Sequence, residues 1–371
     1  MSESNVVLPP ANPHAYALIM AGGKGERFWP MSTAKRPKQL LALAGGAPLI
    51  CQAITRLEGL VPPERVVIVT NESLVEPIRQ LLPANSPVGI LGEPVGRDTA
   101  AAIAAGAAWI RRRDPQAVFC VLTADHVIGD VPLFQLTLAE AMDIAARTPQ
   151  LLTIGIEPTE PSSAYGYIVL GDVYEQRGPL SFHVSGGFRE KPDVETAKTY
   201  LAAGNVLWNS GMFVWSLDSL MAAYRKSAPH LADRLEAWSA VADDAALIEA
   251  MRRDFPALPK ISIDYAVMEK ADNIVVCRGR FPWDDVGSWP ALDAHLPHDE
   301  AGNAVLGDVV AQGAKDNIVL SDGRLTALVG VEDLIVVQTA NVTLVCPKSR
   351  SQEIKALLAT LRSQPGRDAI L

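Results

Sequence analysis

The feature that most constrains this chain is a series of short, almost wholly apolar segments across its first half. They read "AYALIMA", "RVVIVT", "PVGILGEP", "AVFCVLTAD" and "LLTIGI", with longer helical patterns between them. Continuous Val, Ile and Leu, rather than alternating apolar and polar residues, marks strands buried on both faces, and the intervening helices are the crossovers of a mostly parallel sheet. The clearest helix is "DTAAAIAAGAAWIRRR", alanine-rich, with Asp98 or Thr99 expected as its N-cap. In an open sheet of this kind ligands bind beyond the carboxyl ends of the strands. The loops that carry Gly22 to Arg27, Glu93 and Asp125 fall there.

From about Ser162 to Phe281 strands such as "SFHVSGGFREKP" and "VLWNSGMFVW" mix with helical segments, which reads as an insertion on the same sheet. After "LPHDEAGN" the texture changes to short strands at close, turn-punctuated spacing: "NAVLGDVVA", "DNIVLSDG", "LTALVGVEDLIVVQT" and "NVTLVCP". The expected architecture is α/β over residues 1–290, followed by a small β domain over 291–371. A helix closes it, with Ile354, Leu357, Leu358 and Leu361 at helical spacing and Ser349 and Gln352 as its capping box.

With 371 residues, 49% of them apolar, the chain can bury sizeable cores. A formal charge of −9 excludes a nucleic-acid surface, because a phosphate backbone demands an excess of clustered cation. Cys51, Cys120, Cys277 and Cys346 lie far apart and form no CxxC pair, so buried thiols of a reducing cytoplasm are expected rather than zinc ligands or disulfides. The opening "MSESNVVLPPANPHAY" has no basic segment followed by an apolar run, and no stretch approaches the ~20 apolar residues of a membrane span.

Against that acidic background "MAGGKGERFWPMSTAKRPKQLL", Met20 to Leu41, is dense in cations. Gly22, Gly23 and Gly25 after a buried strand let backbone N–H groups approach phosphate oxygens, and Lys24 and Arg27 add charge-assisted hydrogen bonds. A dinucleotide fingerprint fails because Arg27 stands at its third glycine, and the P-loop pattern fails because Lys24 is followed by Gly25. The composition suits a triphosphate. Asp125, ending an apolar strand, is well placed for Mg²⁺, which takes one or two carboxylates plus substrate phosphates.

"GGKGERFWPMSTAKRPKQLL" resembles the signature loop of the sugar-nucleotide pyrophosphorylases, in the form seen in mannose-1-phosphate guanylyltransferases. "EPVGRDTAAA", "TADH", "YGYI", "FREKP", "WNSGMF" and "WDDVGSW" follow in the family's order, so the resemblance spans residues 20–290. It implies a Rossmann-like nucleotidyltransferase domain with a mixed sheet and helices on both faces, joined to a small left-handed β-helix-like domain. It also implies Mg²⁺-assisted attack of a sugar 1-phosphate oxygen on the α-phosphorus of a triphosphate, with GTP and α-D-mannose 1-phosphate giving GDP-mannose and pyrophosphate. Such chemistry needs positioning and charge neutralisation rather than a covalent intermediate.

Carried over residue by residue, the resemblance assigns Ala21, Gly22, Gly23, Gly25, Glu93, Arg97, Asp98 and Asp125 to the nucleotide. Lys24 and Arg27 would hold the β and γ phosphates, Lys38 the transferring or leaving phosphate, and Lys191 the sugar phosphate. Tyr165, Gly166, Glu190 and Asn209 would surround the hexose, and Asp285, rather than Asp284, would join Asp125 on the metal. A carboxylate at Glu93 accepts from both N1–H and N2–H₂ of guanine, which other bases cannot match. His126 is expected to be structural, since an ionised phosphate needs no base. The sequence departs from the family form at Asp98, where Asn is usual, and at Ala164, where glycine is usual. The remaining readings are another hexose 1-phosphate, such as glucose 1-phosphate, or a non-catalytic regulatory subunit. A cytoplasmic homodimer with a single activity is expected, because the chain has no room for an added phosphomannose isomerase domain.

Overall fold

The computed structural model describes residues 8, 9 and 12–371; residues 1–7, 10 and 11, read above as free of an export signal, lie outside the described residues. The chain divides into two compact units. The larger comprises Met1–Gly22, Ala53–Ala124 and Ile128–Trp283, and the smaller Gly23–Gln52, Asp125–Val127 and Asp284–Leu371. Compactness therefore does not follow a single cut near residue 290.

The strands run β1 (Ala15–Ala21), β2 (Val66–Asn71), β3 (Gly89–Glu93), β4 (Val118–Thr123), the two-residue β5 (Val127–Ile128), β6 (Leu151–Ile156), β7 (Tyr167–Arg177), β8 (Leu180–Arg189), β9 (Val206–Ser216), β10 (Ile274–Gly279) and the two-residue β11 (Trp283–Asp284). In the larger unit they form one sheet of order β3-β2-β1-β4-β9-β6-β10-β8-β7. β3, β2, β1 and β4 are parallel, as the apolar runs predict. The sheet becomes mixed at β9, which lies antiparallel between β4 and β6. Alternate residues of β1 show why the run is apolar throughout. Tyr16 and Leu18 pack with the Asp98–Arg113 helix, whose residues from Ala100 to Ile110 are all buried, while Ala17 and Ile19 are buried on the opposite face.

The segment "WNSGMF", which alone reads as a buried strand with a tight turn, is continuous strand with a register shift opposite Thr153 and Gly155. The Asp98–Arg113 helix is not capped as expected. Its N-cap is Arg97, without a side-chain hydrogen bond, and Asp98 is its first residue, at φ 66°. The Asp98 carboxylate accepts from the Thr99 N–H at 2.8 Å, and Thr99 Oγ1 accepts from the Ile263 N–H at 2.8 Å.

The C-terminal strands are β12 (Ala304–Leu306), β13 (Val309–Gln312), β14 (Ile318–Ser321), β15 (Thr326–Val329), β16 (Leu334–Gln338) and β17 (Thr343–Pro347). β12, β14 and β16 stack in parallel, as do β13 and β15, and β17 closes antiparallel on β16. Stacked parallel rungs of this kind are β-helix-like. An asparagine ladder locks them. Asn303 and Asn317 are fully buried; Asn303 Oδ1 accepts from the Asn317 N–H at 3.0 Å, and Asn317 Oδ1 accepts from the Leu334 N–H at 3.0 Å. The two Nδ2 hydrogens of Asn317 are directed at Asn303 Oδ1 and Lys315 O, at 2.8 and 2.9 Å, with Val331 O at 3.1 Å sharing one of them.

The core of the smaller unit joins Phe28, Trp29 and Leu41 of the glycine-rich segment to Val286, Trp289, Ile318, Ile335 and Val337, and to Ile354 and Leu358 of the closing helix Ile354–Arg362. Leu361 packs at its margin, but Leu357 is exposed, so the stripe is narrower than its spacing predicts. The capping box of Ser349 and Gln352 does not form. Residues Lys348–Glu353 are a 3₁₀ turn, and the closing helix starts after Glu353 with no side-chain cap.

Because the fully buried Asn317 side chain donates to Asn303 Oδ1 and accepts from the Leu334 N–H, Asn317→Ala is expected to destabilise the protein by about 2–3 kcal/mol. Calorimetric unfolding checks this, and an unchanged melting temperature would show that the ladder is not what locks the rungs.

Candidate active site

The glycine-rich segment is shaped by its own backbone demands. Gly25 sits at φ 60°, and a Cβ there would meet the Lys38 backbone N at 2.8 Å, so only glycine lets the loop fold over Lys38. The Gly23 carbonyl accepts from Gln39 Nε2 at 3.1 Å, and the Lys24 carbonyl accepts from Ser32 Oγ at 2.9 Å. Phe28, fully buried, anchors the following turn against Trp289 with ring centroids 4.9 Å apart.

Lys38 is the centre of this arrangement. Its side chain is 4% exposed, and Nζ donates to Asp125 Oδ2 at 3.0 Å and to the Asp285 carbonyl. Burial pushes the Asp125 carboxyl up, but the Lys38 ammonium and then His126 outweigh it and hold the group below the usual carboxylate range. Asp125 is therefore charged at neutral pH. Asp284 has another task, accepting from the Val286 N–H at 2.7 Å and bonding His295 Nε2 at 2.8 Å. Val286, fully buried, has φ 44°, an unusual backbone for a β-branched residue. That turn leaves Asp285 on the wall of a 310 Å³ cleft with Lys24, Gly25, Arg27, Lys38 and Asp125. Arg27 Nη1 donates to the Gly287 carbonyl at 3.3 Å, and His126 also lines the cleft. Among the described residues no three His, Cys, Asp or Glu are grouped to cage a metal ion. Asp125 and Asp285 put two carboxylates on one cationic cleft, a residue type that suits a divalent ion sharing its shell with phosphates.

In the larger unit Ala21 ends β1, its carbonyl accepting from Thr70 Oγ1 at 2.9 Å, and Gly22 follows, 3.9 Å from Glu93 Oε2 measured at an added Cβ. Glu93 ends β3 almost wholly buried, with Oε1 lacking a hydrogen-bond partner. Burial, reinforced by Asp98, pushes its carboxyl up to about 8. Arg97 is spoken for by backbone, donating from Nε to the Phe255 carbonyl at 3.0 Å and from Nη2 to the Pro256 carbonyl. It braces the loop that carries Glu93 and Asp98.

The sugar-side expectations cluster at the other strand ends of the same unit. Glu190 is 9% exposed; Oε1 bonds Lys191 Nζ at 2.7 Å, while Oε2 lacks a partner. Gly166 packs so closely on Glu190 that any Cβ would collide with Oε2. Lys191 itself has φ 43°, a backbone that a residue before proline rarely adopts. Tyr165 stacks near Trp208 and Trp283 at centroid distances of 4.7 and 5.6 Å, forming an aromatic wall. Asp264 is the residue that sequence reasoning missed. Its Oδ1 accepts from Asn209 Nδ2 at 2.8 Å, and burial, then Glu190, pushes its carboxyl up to about 6. The available signal was an aspartate in "KISIDYAVM", in the first turn of the four-residue helix Ile263–Ala266.

Two family profiles match the chain: nucleotidyl transferase over residues 16–301, and the mannose-P isomerase/GMP-like β-helix domain over residues 307–361. A mannose-1-phosphate guanylyltransferase of Escherichia coli K12 is 37% identical over 356 residues, covering 94% of this chain and 73% of that protein. One from Klebsiella pneumoniae is 38% identical over 349 residues, covering 93% and 73%. A solved structure from Thermus thermophilus, described as a mannose-1-phosphate geranyltransferase, superimposes with a TM-score of 0.83 at 36% identity, covering 94% of this chain and all of that one. With the cationic glycine loop and its paired aspartates, these matches establish that the chain belongs to the nucleotidyl transferase family, among the mannose-1-phosphate guanylyltransferases.

Proposed function

We propose that this enzyme transfers GMP from GTP to α-D-mannose 1-phosphate, giving GDP-mannose and pyrophosphate. The observation that carries the reading is the 310 Å³ cleft in which Lys24, Arg27 and Lys38 meet Asp125 and Asp285. A sugar-phosphate oxygen forms a bond to the α-phosphorus while the bond from that phosphorus to the α,β-bridging oxygen breaks, and the electron pair leaves on pyrophosphate. Lys24 and Arg27 hold the β and γ phosphates, and Lys38 the phosphate being transferred. Asp125 and Asp285 are the residues to hold Mg²⁺, which when bound neutralises charge on the triphosphate. Asp125 suits that role because Lys38 keeps it ionised.

In the same reading Glu93 receives the guanine N1–H and N2–H₂, and Lys191 binds the sugar phosphate. Glu190 and Asp264, with Asn209 and the aromatic wall, accept the hexose hydroxyls; the unpartnered Glu190 Oε2 supports this. Nucleotidyl transfer is assigned to residues 1–290 and the β-helix-like portion to 291–371. A homodimer in the cytoplasm completes the reading, supported by the exposed Val310, Val329 and Val345 of the C-terminal strands. Among the described residues no helix is long and apolar enough to cross a membrane.

Pyrophosphate release is measured with each of the four nucleoside triphosphates against mannose and glucose 1-phosphates, with and without Mg²⁺. Turnover is expected for GTP with mannose 1-phosphate and only with the metal; equal turnover with UTP, or with glucose 1-phosphate, would sink that part of the assignment. Asp285→Asn is expected to cut kcat by about 10²–10³-fold with an unchanged melting temperature. Retained metal-dependent turnover would remove Asp285 from the ligand set. Glu93 generates a pH test. Its carboxyl is neutral below about 8 in the empty protein, yet two guanine donors require the carboxylate, so binding must release its proton. GTP affinity should rise by up to about tenfold per pH unit below that value and level off above it. Calorimetric titration of GTP across pH 6–9 checks this. Glu93→Gln should abolish that part of the dependence, and an identical profile in the variant would refute the contact.

A further inference from the structure

The wall of the phosphate cleft carries a cation that the signature loop does not supply. Lys355 lines it, from the first turn of the closing helix Ile354–Arg362. Lys355 lies more than three hundred residues from Lys24 in sequence, and only the packing of the smaller unit brings them to one cavity. That packing is specific. Ile354 and Leu358, 2% and 3% exposed, sit in the same core as Phe28, Trp29 and Trp289, which seats one face of the helix beneath the glycine-rich segment. At the other end of the helix Arg362 Nη2 pairs with Glu26 Oε1 at 2.6 Å, so the helix is fastened to the turn that carries Arg27. Lys355 follows the buried Ile354 by one residue and is exposed, as a flexible lysine stem at a cavity rim should be.

A surface lysine is ordinarily a solubilising charge, and the neighbouring cations show what that looks like in this segment. Lys348 pairs with Asp293 at 3.0 Å, Arg350 pairs with Glu353 at 2.6 Å, and Arg362 is held by Glu26. Lys355 has no such carboxylate among the described residues. The cleft also needs it. Lys38 pairs with Asp125 and is assigned above to the phosphate being transferred, which leaves Lys24 and Arg27 to meet the β and γ phosphates, and the Arg27 Nε has no hydrogen-bond partner. By contrast, the 920 Å³ groove lined by Arg147 and Lys226 is a poor anion site, because each of these cations faces a carboxylate.

We propose that Lys355 is a phosphate-binding residue, its ammonium holding the terminal phosphates of the triphosphate substrate and of the pyrophosphate product beside Lys24 and Arg27. The inference rests on the proposed function for the identity of the anion. It carries the active site past residue 290, since the closing helix completes the cleft rather than merely capping the β strands. A cation placed where charge gathers on the leaving pyrophosphate lowers the barrier as well as strengthening binding.

The test compares full-length wild type, Lys355→Met, Lys355→Arg and a charge control, Lys315→Met, whose residue pairs with Glu332 away from the cleft. Inorganic pyrophosphate binding is measured by calorimetry in the presence of Mg²⁺, and forward kinetics by pyrophosphate release. Lys355→Met is expected to weaken pyrophosphate binding and to raise KM for GTP by about tenfold or more, with KM for mannose 1-phosphate within about twofold and the melting temperature unchanged. Lys355→Arg should recover most of the loss, and Lys315→Met should match wild type. Lys355→Met behaving like Lys315→Met overturns the proposal, as does an equal rise in KM for mannose 1-phosphate, which would mark a general disturbance. Failure of wild type to use mannose 1-phosphate, with pyrophosphate binding still weakened in Lys355→Met, overturns the substrate assignment and supports the Lys355 contact.

Discussion

The buried ammonium of Lys38 is the interaction on which the smaller unit depends. Taking a cation out of water costs several kcal/mol unless it is paired and hydrogen-bonded. Lys38 meets that cost with the Asp125 carboxylate and the Asp285 carbonyl. These partners come from three separate stretches of chain, and the same three stretches, Gly23–Gln52, Asp125–Val127 and Asp284–Leu371, make up the compact unit. Removing the Asp125 carboxylate would leave the buried Lys38 ammonium without its counter-charge. The ion pair and the aromatic core of Phe28 and Trp289 thus both join stretches of this discontinuous unit that lie far apart in sequence.

That arrangement also divides labour between adjacent aspartates. Asp284 braces the turn through the Val286 N–H and His295, and the unusual backbone at Val286 turns the chain so that Asp285 lines the cleft. Such backbone costs on the order of 1–3 kcal/mol and persists only where surrounding structure over-determines it. Here Val286 is fully buried in the core, which supplies the determination.

What could be read in the sequence was whatever a local physical rule fixes. β1, β4 and β6 were legible because apolar runs of strand length buried on both faces admit little else. Lys24, Arg27, Asp125 and Asp285 were legible through motif resemblance, and the cleft gathers them. The capping box failed where a competing local turn and ion pair took its place. The 3₁₀ turn Lys348–Glu353 occupies the stretch that a capping box needed, and Glu353 is paired with Arg350. The asparagine ladder was invisible because its spacing is set by β-helix rungs, with Asn303, Asn317 and the Leu334 N–H at unequal intervals. Lys355 and Asp264 were invisible for the same reason: each acquires its meaning only from neighbours far away in sequence.

The carboxyl groups of the two units are tuned in opposite directions, and the difference follows from what each must meet. Asp125 faces an ammonium and stays ionised, which suits the metal-binding role proposed for it. Glu93 and Asp264 are buried beside another carboxyl, which pushes both upward and lets an empty pocket avoid holding a bare charge. On the proposed assignment a ligand bringing N–H or O–H donors compensates ionisation of these carboxyls, whereas an apolar edge leaves them without a partner. Discrimination of that kind arises from the cost imposed on the wrong ligand as much as from contacts made to the right one.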